Sequence, residues 1–149
     1  PYYAAQINVL NSFGEKDEEK ITAQLKKAQD FINDASAISE DNPEIMTLQA
    51  QLYTAWIVFD GLRYGMTYSA KATELYEKAL ALEPNNPRMI MANVEWNIGS
   101  AKYFGESVDP YCKEILRAIG LFRSFKPKGK FYPSFGQERA TEFFAENCQ

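Results

Sequence analysis

Two short strings, Asp41-Asn42-Pro43 and Asn85-Asn86-Pro87, stand 44 residues apart and set the frame for the chain. The same shift carries Ala28 onto Ala72, Phe31 onto Leu75, Ala35 onto Ala79, Ile38 onto Leu82 and Gly61 onto Gly105. A period between about 20 and 50 residues marks stacked supersecondary units, each too small to bury its own apolar face. The chemistry of this unit is that of two antiparallel helices. Asn42 and Asn86 can cap a helix through their side-chain oxygens. Pro43 and Pro87 then fall at the first helical position, where a missing N–H costs nothing. Asp109-Pro110 repeats the device a third time, and Gly61 and Gly105 suit the ends of the helices these prolines start.

Seven helices are expected on this frame. The first covers about Tyr3 to Phe13, and the second Asp17 to Ile38, with Glu15, Asp17, Glu18 and Glu19 near its positive end. The third runs from Pro43 to Asp60, the fourth from Ser69 to Leu82, the fifth from Pro87 to Phe104 and the sixth from Pro110 to Phe125. Residues 62–68 read as a loop. The stretch from Lys126 to Pro133 holds two prolines and a glycine and stops the sixth helix. A last helix from Phe135 to Asn147 follows Ser134 and Gln137, which have capping-box spacing. The fold class is therefore all-α. It is an α-solenoid of about three antiparallel pairs (units near 1–40, 41–84 and 85–125) with a C-terminal capping helix over 134–148, in one domain, 1–149.

Composition narrows the chemistry. Ten Phe and nine Tyr need places to pack, which argues against disorder. The net charge of −4 argues against nucleic acid and against anionic membranes as partners. The chain has no histidine, so the commonest general base and transition-metal ligand is missing. Cys112 and Cys148 are too few and too far apart for a thiolate zinc site. The most apolar run, Ile45 to Phe59, is shorter than the roughly 20 residues a membrane span needs. The start at Pro1, without methionine, is read as that of a fragment or processed product, with any targeting signal upstream.

The run Lys71-Ala72-Thr73-Glu74-Leu75-Tyr76-Glu77-Lys78-Ala79-Leu80-Ala81-Leu82-Glu83-Pro84 resembles the second helix of a tetratricopeptide (TPR) unit. Ala72 matches the small residue where the two helices cross, Tyr76 the aromatic, Ala79 the second small residue and Pro84 the helix-ending proline. Ala28, Ile32 and Ala35 repeat most of this one unit earlier, with Glu40 in place of the proline. The first helices of the units lack the family's Trp, Leu-Gly and Tyr placement, and the period exceeds the usual value of about 34. Alanines at such places let neighbouring helices approach closely while larger residues fill the gaps. Tyr64-Gly65-Met66-Thr67-Tyr68-Ser69, Asn85-Asn86-Pro87-Arg88 and Pro133-Ser134-Phe135-Gly136-Gln137-Glu138, with Cys148 near the end, are similar to a group of uncharacterised bacterial TPR proteins. Phe135 and Gln137 stand where that group more often has Trp and Lys. The likeness implies export, with cytoplasmic residence the other option, and an oxidising compartment in which disulfides persist.

In TPR stacks the first helices line the concave face. The likeness therefore places Glu44, Thr47, Gln51, Thr54, Arg88, Met91, Glu95 and Ile98 on a partner-binding surface, with plain solvated surface as the other reading. Thr47, Gln51, Met91 and Glu95 replace the Lys and Asn with which some TPR proteins clamp a C-terminal carboxylate, so that clamp is not expected. Four further features receive bland readings. The acidic cluster at 15–19 favours a helix N-terminus rather than acid–base catalysis. Arg123, Lys126, Lys128 and Lys130 among Phe122, Phe125, Phe131, Tyr132 and Phe135 form a solvated loop rather than a single-strand binder. The last helix, with Ala140, Phe143, Phe144 and Cys148 on one face, caps the core. Cys112 and Cys148 are read as two inert thiols, with a structural disulfide as the competitor.

These readings converge on a non-enzymatic scaffold that binds a protein or peptide partner through its helical groove. No catalytic residue, cofactor or metal is expected, nor any nucleic acid or membrane insertion. The second reading is a structural segment of a larger repeat array.

Overall fold

Side-chain caps start the helices that the sequence marks most strongly. The computed structural model describes residues 1–148. Its helices are α1 (Tyr2–Ser12), α2 (Glu18–Ile38), α3 (Pro43–Phe59), α4 (Gly61–Leu82), α5 (Pro87–Phe104), α6 (Asp109–Phe122) and α7 (Gln137–Asn147), with no strand among the described residues. Asp17 Oδ1 accepts from the backbone N–H groups of Glu19 and Lys20 at 3.0 and 3.2 Å and opens α2. Asn42 accepts from Glu44 N–H at 3.0 Å, and Asn86 from Arg88 N–H at 2.9 Å, each ahead of a proline at the first turn. Backbone N–H groups of Asp17 and Lys16 hold the Glu15 carboxyl below its ordinary pKa. The acidic cluster is thus occupied in starting α2. Gly105 ends α5 at φ +71°, a left-handed turn, and Glu106 N–H returns to Ala101 O at 2.7 Å.

Several boundaries differ from the expected ones, each for a local reason. Residues 62–68 are the opening turns of α4, not a loop. Asp60 alone makes the junction. Its N–H donates to Trp56 O at 3.0 Å to end α3, and its carboxylate accepts from Arg63 N–H at 3.1 Å to start α4. Gly61 therefore begins a helix rather than ending one, and Gly65 within α4 costs only about 1 kcal/mol relative to alanine. Asp109 does not cap α6. It lies inside the helix, and its N–H donates to Ser107 Oγ at 3.2 Å. Ser134 does not cap α7 either. The entry to α7 is Gly136 at φ +130°, and a Cβ there would sit 3.0 Å from the Phe122 ring. Both the dihedral and the close approach call for glycine.

The chain divides into two compact units, Pro1–Ala79 and Leu80–Gln149, with α4 running across the division. In the first, α1, α2 and α3 pack together over Val9, Ile21, Leu25, Ile32, Leu48 and Leu52. Ala28 and Ala35 lie within this core, and Ala72 and Ala79 on α4 are wholly buried. In the second unit, α6 packs on α5 and α7 on α6. Ala140, Phe143 and Cys148 of α7 complete the cluster of Ile90, Val94, Ile98, Ile115 and Phe122.

The reading of the cysteines as inert thiols is overturned. Cys112 and Cys148 form a disulfide with Cα atoms 5.8 Å apart. The start of α6 meets the end of α7, which brings the two side chains within bonding geometry. The bond closes a separation of 36 residues.

Two outcomes follow from this packing. Ala28→Leu and Ala79→Leu should each destabilise the protein by about 1–3 kcal/mol through overpacking, measured by chemical denaturation. Unreduced, denatured protein should titrate with no free thiol, and Cys112→Ser should lower stability by roughly 3–4 kcal/mol, the loop-closure value for such a bridge.

Candidate functional site

Of the eight residues expected to line a binding face, Glu44, Thr47, Met91 and Ile98 are buried and Gln51, Thr54, Arg88 and Glu95 are half-buried. In the first unit Glu44 and Thr47 are buried. Tyr2 donates its hydroxyl to Glu44 Oε2 at 3.3 Å, and Thr47 donates to Glu44 O at 3.0 Å. Gln51 and Thr54 are half-buried, and the Thr54 hydroxyl is spent on Ala50 O at 2.9 Å. In the second unit Met91 and Ile98 belong to the core. Arg88 donates to Phe135 O at 2.6 Å, with its guanidinium 4.2 Å from the centre of the Phe135 ring. Glu95 pairs with Arg139 of α7 at 3.5 Å. Burial raises the Glu95 carboxyl pKa; Arg139 opposes that shift and Glu146 adds to it. Within this unit the face of α5 is therefore covered by the chain's own C-terminal segment. The aromatic and basic loop shares in this. Phe135 and Phe122 dock the segment, and Lys128 pairs with Glu83. Burial would raise the Glu83 carboxyl, but its bonds from Lys128 and Asn86 hold it below its ordinary pKa.

A different set of side chains comes together in the first unit, along the facing sides of α3 and α4. Tyr53 and Tyr68 stack with ring centres 4.7 Å apart and planes within 13°. Tyr64 continues the column at 5.8 Å from Tyr68, again within 13°. Trp56 leans on Tyr64 at 4.9 Å. Helical spacing explains the arrangement. Tyr64 and Tyr68 are four apart on one face of α4, and Tyr53 and Trp56 three apart on α3, so the two rows meet across the Asp60 turn. All four rings are half-buried, leaving part of each open to solvent.

Two exposed cations frame the rings. The Arg63 guanidinium lies 5.2 Å from the Tyr64 ring centre, and the Lys71 ammonium 5.7 Å from that of Tyr68. Arg63 also meets Glu18 at 3.6 Å in an exposed pair. Burial raises the Tyr53 phenol pKa, and its neighbour Tyr68 adds to the shift. Elsewhere on these two helices Val58, Leu62 and Met66 stand 66, 100 and 94% exposed, with Leu62 and Met66 two residues off the Tyr64–Tyr68 row and so on the other face of α4. The sequence reading missed this cluster because it took residues 62–68 as a loop. The i, i+4, i+7 run Tyr64, Tyr68, Lys71 was the available signal.

The rings cover much of one another's faces, and the side of the column left open presents aromatic edge with positive charge at its margin, a surface on which a flat anionic molecule can lie. Among the described residues no group of His, Cys, Asp and Glu could hold a metal, and no helix is long and apolar enough to cross a membrane. No protein-family model matches the chain, and no curated protein matches it. Among solved structures the fold is similar to that of the HusA haemophore from Porphyromonas gingivalis. The TM-score is 0.73 at 20% identity, over 99% of this chain and 72% of that one.

Alkaline titration should report the ladder. The raised Tyr53 pKa means the folded protein keeps that proton where the unfolded chain, near pH 10, releases it. Its contribution to stability is full below pH 10 and is lost as pH rises through the folded value. Phenolate absorbance should show a late-titrating component that Tyr53→Phe reduces.

Proposed function

We propose that this chain is a non-enzymatic binding protein for a flat, anionic tetrapyrrole of the haem class, built on a TPR-like helical scaffold. The observation that carries the reading is the near-parallel Tyr53–Tyr68–Tyr64 column with Trp56 at its side and Arg63 and Lys71 at its margin. A fold shared with a protein described as a haemophore supports it. The donor set fits a ring better than it fits an iron. The chain has no histidine, and both cysteines are bonded to each other. Bound haem would bring the iron and its redox chemistry, while the chain's tyrosines and tryptophan would hold the ring and screen it from water. The disulfide accords with an exported protein in an oxidising compartment.

A protein or peptide partner is the second reading. The exposed apolar side chains of Val58, Leu62 and Met66 favour it, since such patches mark interaction surfaces.

Haem titrated into the purified protein should give a saturable change in its absorbance at one ligand per chain. Tyr64→Ala with Tyr68→Ala should weaken binding by about tenfold, the worth of two ring contacts. A titration without saturation would return the function to the protein-partner reading.

A further inference from the structure

We infer that Arg63 and Lys71 make the aromatic ladder selective for tetrapyrroles whose carboxylate side groups are free, and that esterified or uncharged rings are poor ligands. The inference rests on the tetrapyrrole reading above and goes further, because stacking alone would accept any flat ring of suitable size.

The whole chain carries −4, so an acidic ligand is repelled at long range unless cations stand at the site itself. Two do. Arg63 and Lys71 are eight residues apart on α4, or about 12 Å along the helix axis, with Tyr64 and Tyr68 between them. Both side chains turn back over those rings, which brings their charged ends in from the full spacing. Each is exposed, so a ligand acid can reach it. Neither is locked into the fold. Lys71 rests on Tyr68, and Arg63 shares its charge with Glu18 in an exposed pair that another carboxylate can replace at small cost. Arginine adds the planar fork that takes a carboxylate through two hydrogen bonds. A ring stacked at the ladder with acid groups on its edge would satisfy both kinds of contact together. A ring without them would leave the cations where they are and gain only the stacking.

The test compares a metal-free porphyrin dicarboxylic acid with its dimethyl ester, both followed by porphyrin fluorescence against the wild-type chain. The acid should bind at least tenfold more tightly, and its advantage should shrink as salt is raised from about 0.05 to 0.5 M. The double variant Arg63→Gln, Lys71→Gln should lose most of that preference. Circular dichroism checks that its helices persist. Equal binding of acid and ester by the wild type overturns the inference and leaves the tetrapyrrole reading standing. Binding of neither overturns both. A preference that survives the double variant places the selecting charges elsewhere and overturns the assignment to these residues.

Discussion

An amphipathic helix cannot cover its own apolar stripe, and in each unit neighbouring helices cover it, α1, α2 and α3 in the first and α5, α6 and α7 in the second. The residue at the joint sets how closed that joint becomes. Where alanine stands, as at Ala5, Ala28 and Ala35 in the first unit and Ala118 and Ala140 in the second, the joint is sealed among branched side chains. Between α3 and α4 the joint is made by rings instead, with Tyr53, Trp56, Tyr64 and Tyr68 bridging the helices. Rings reach farther than methyl groups and do not interdigitate as branched chains do. The joint is therefore filled but only half-buried. The feature that distinguishes this molecule's surface thus follows from the same rule that builds its core.

The parts of the fold that were legible are those set by short-range chemistry. Asp17, Asn42 and Asn86 cap as their side chains dictate, Pro43 and Pro87 open their helices, and Gly105 takes the left-handed turn. The alanine spacing identified positions that are indeed buried. Legibility failed where two signals competed. Gly61 and Gly65 read as breakers, but Asp60 both ends α3 and caps α4, and one residue then does the work of a loop. Ser134 and Gln137 have capping-box spacing, yet Gly136 must approach the Phe122 ring, and that tertiary contact sets the start of α7. The site was illegible for the first of these reasons. Once residues 62–68 are helical, Tyr64, Tyr68 and Lys71 fall into line. The direction of the Cys112 side chain was beyond any pattern in the sequence, because it depends on how α7 lies against α6.

In the proposed reading the site's chemistry is one of surfaces and margins rather than of coordination. A chain without histidine, with its thiols bonded to each other, lacks the commonest donors to a metal. It has much to offer a ring. Stacked aromatics contribute about 0.5–1.5 kcal/mol each beyond their buried area, and carboxylate contacts to exposed cations add a comparable, salt-sensitive part. Contributions of that size, spread over several side chains, give a site whose affinity falls gradually as residues are removed. A coordinated ligand would instead depend on one donor.

The C-terminal segment explains why the face of α5 does not serve the same end. Besides the burial of Ala140 and Phe143, three polar or covalent contacts between named side chains hold α7 and the residues before it: Arg88 on Phe135, Glu95 with Arg139, and the disulfide. They are unequal. Burial raises the Glu95 carboxyl despite Arg139, so the fold itself disfavours the charge on which that pair depends. Arg88 on the rim contributes at the scale of a single charge-assisted bond, about 1.5–3 kcal/mol at most. The disulfide, at roughly 3–4 kcal/mol, exceeds either contact and does not weaken with salt or with modest changes of pH. The disulfide therefore fixes the end of α7 to the start of α6, and Ala140 and Phe143 bury in the cluster that also holds Ile98 and Met91. On α5 of the second unit, Met91 and Ile98 are spent in the core and Arg88 and Glu95 in holding the C-terminal segment, while the ladder rings of α3 and α4 stay half open.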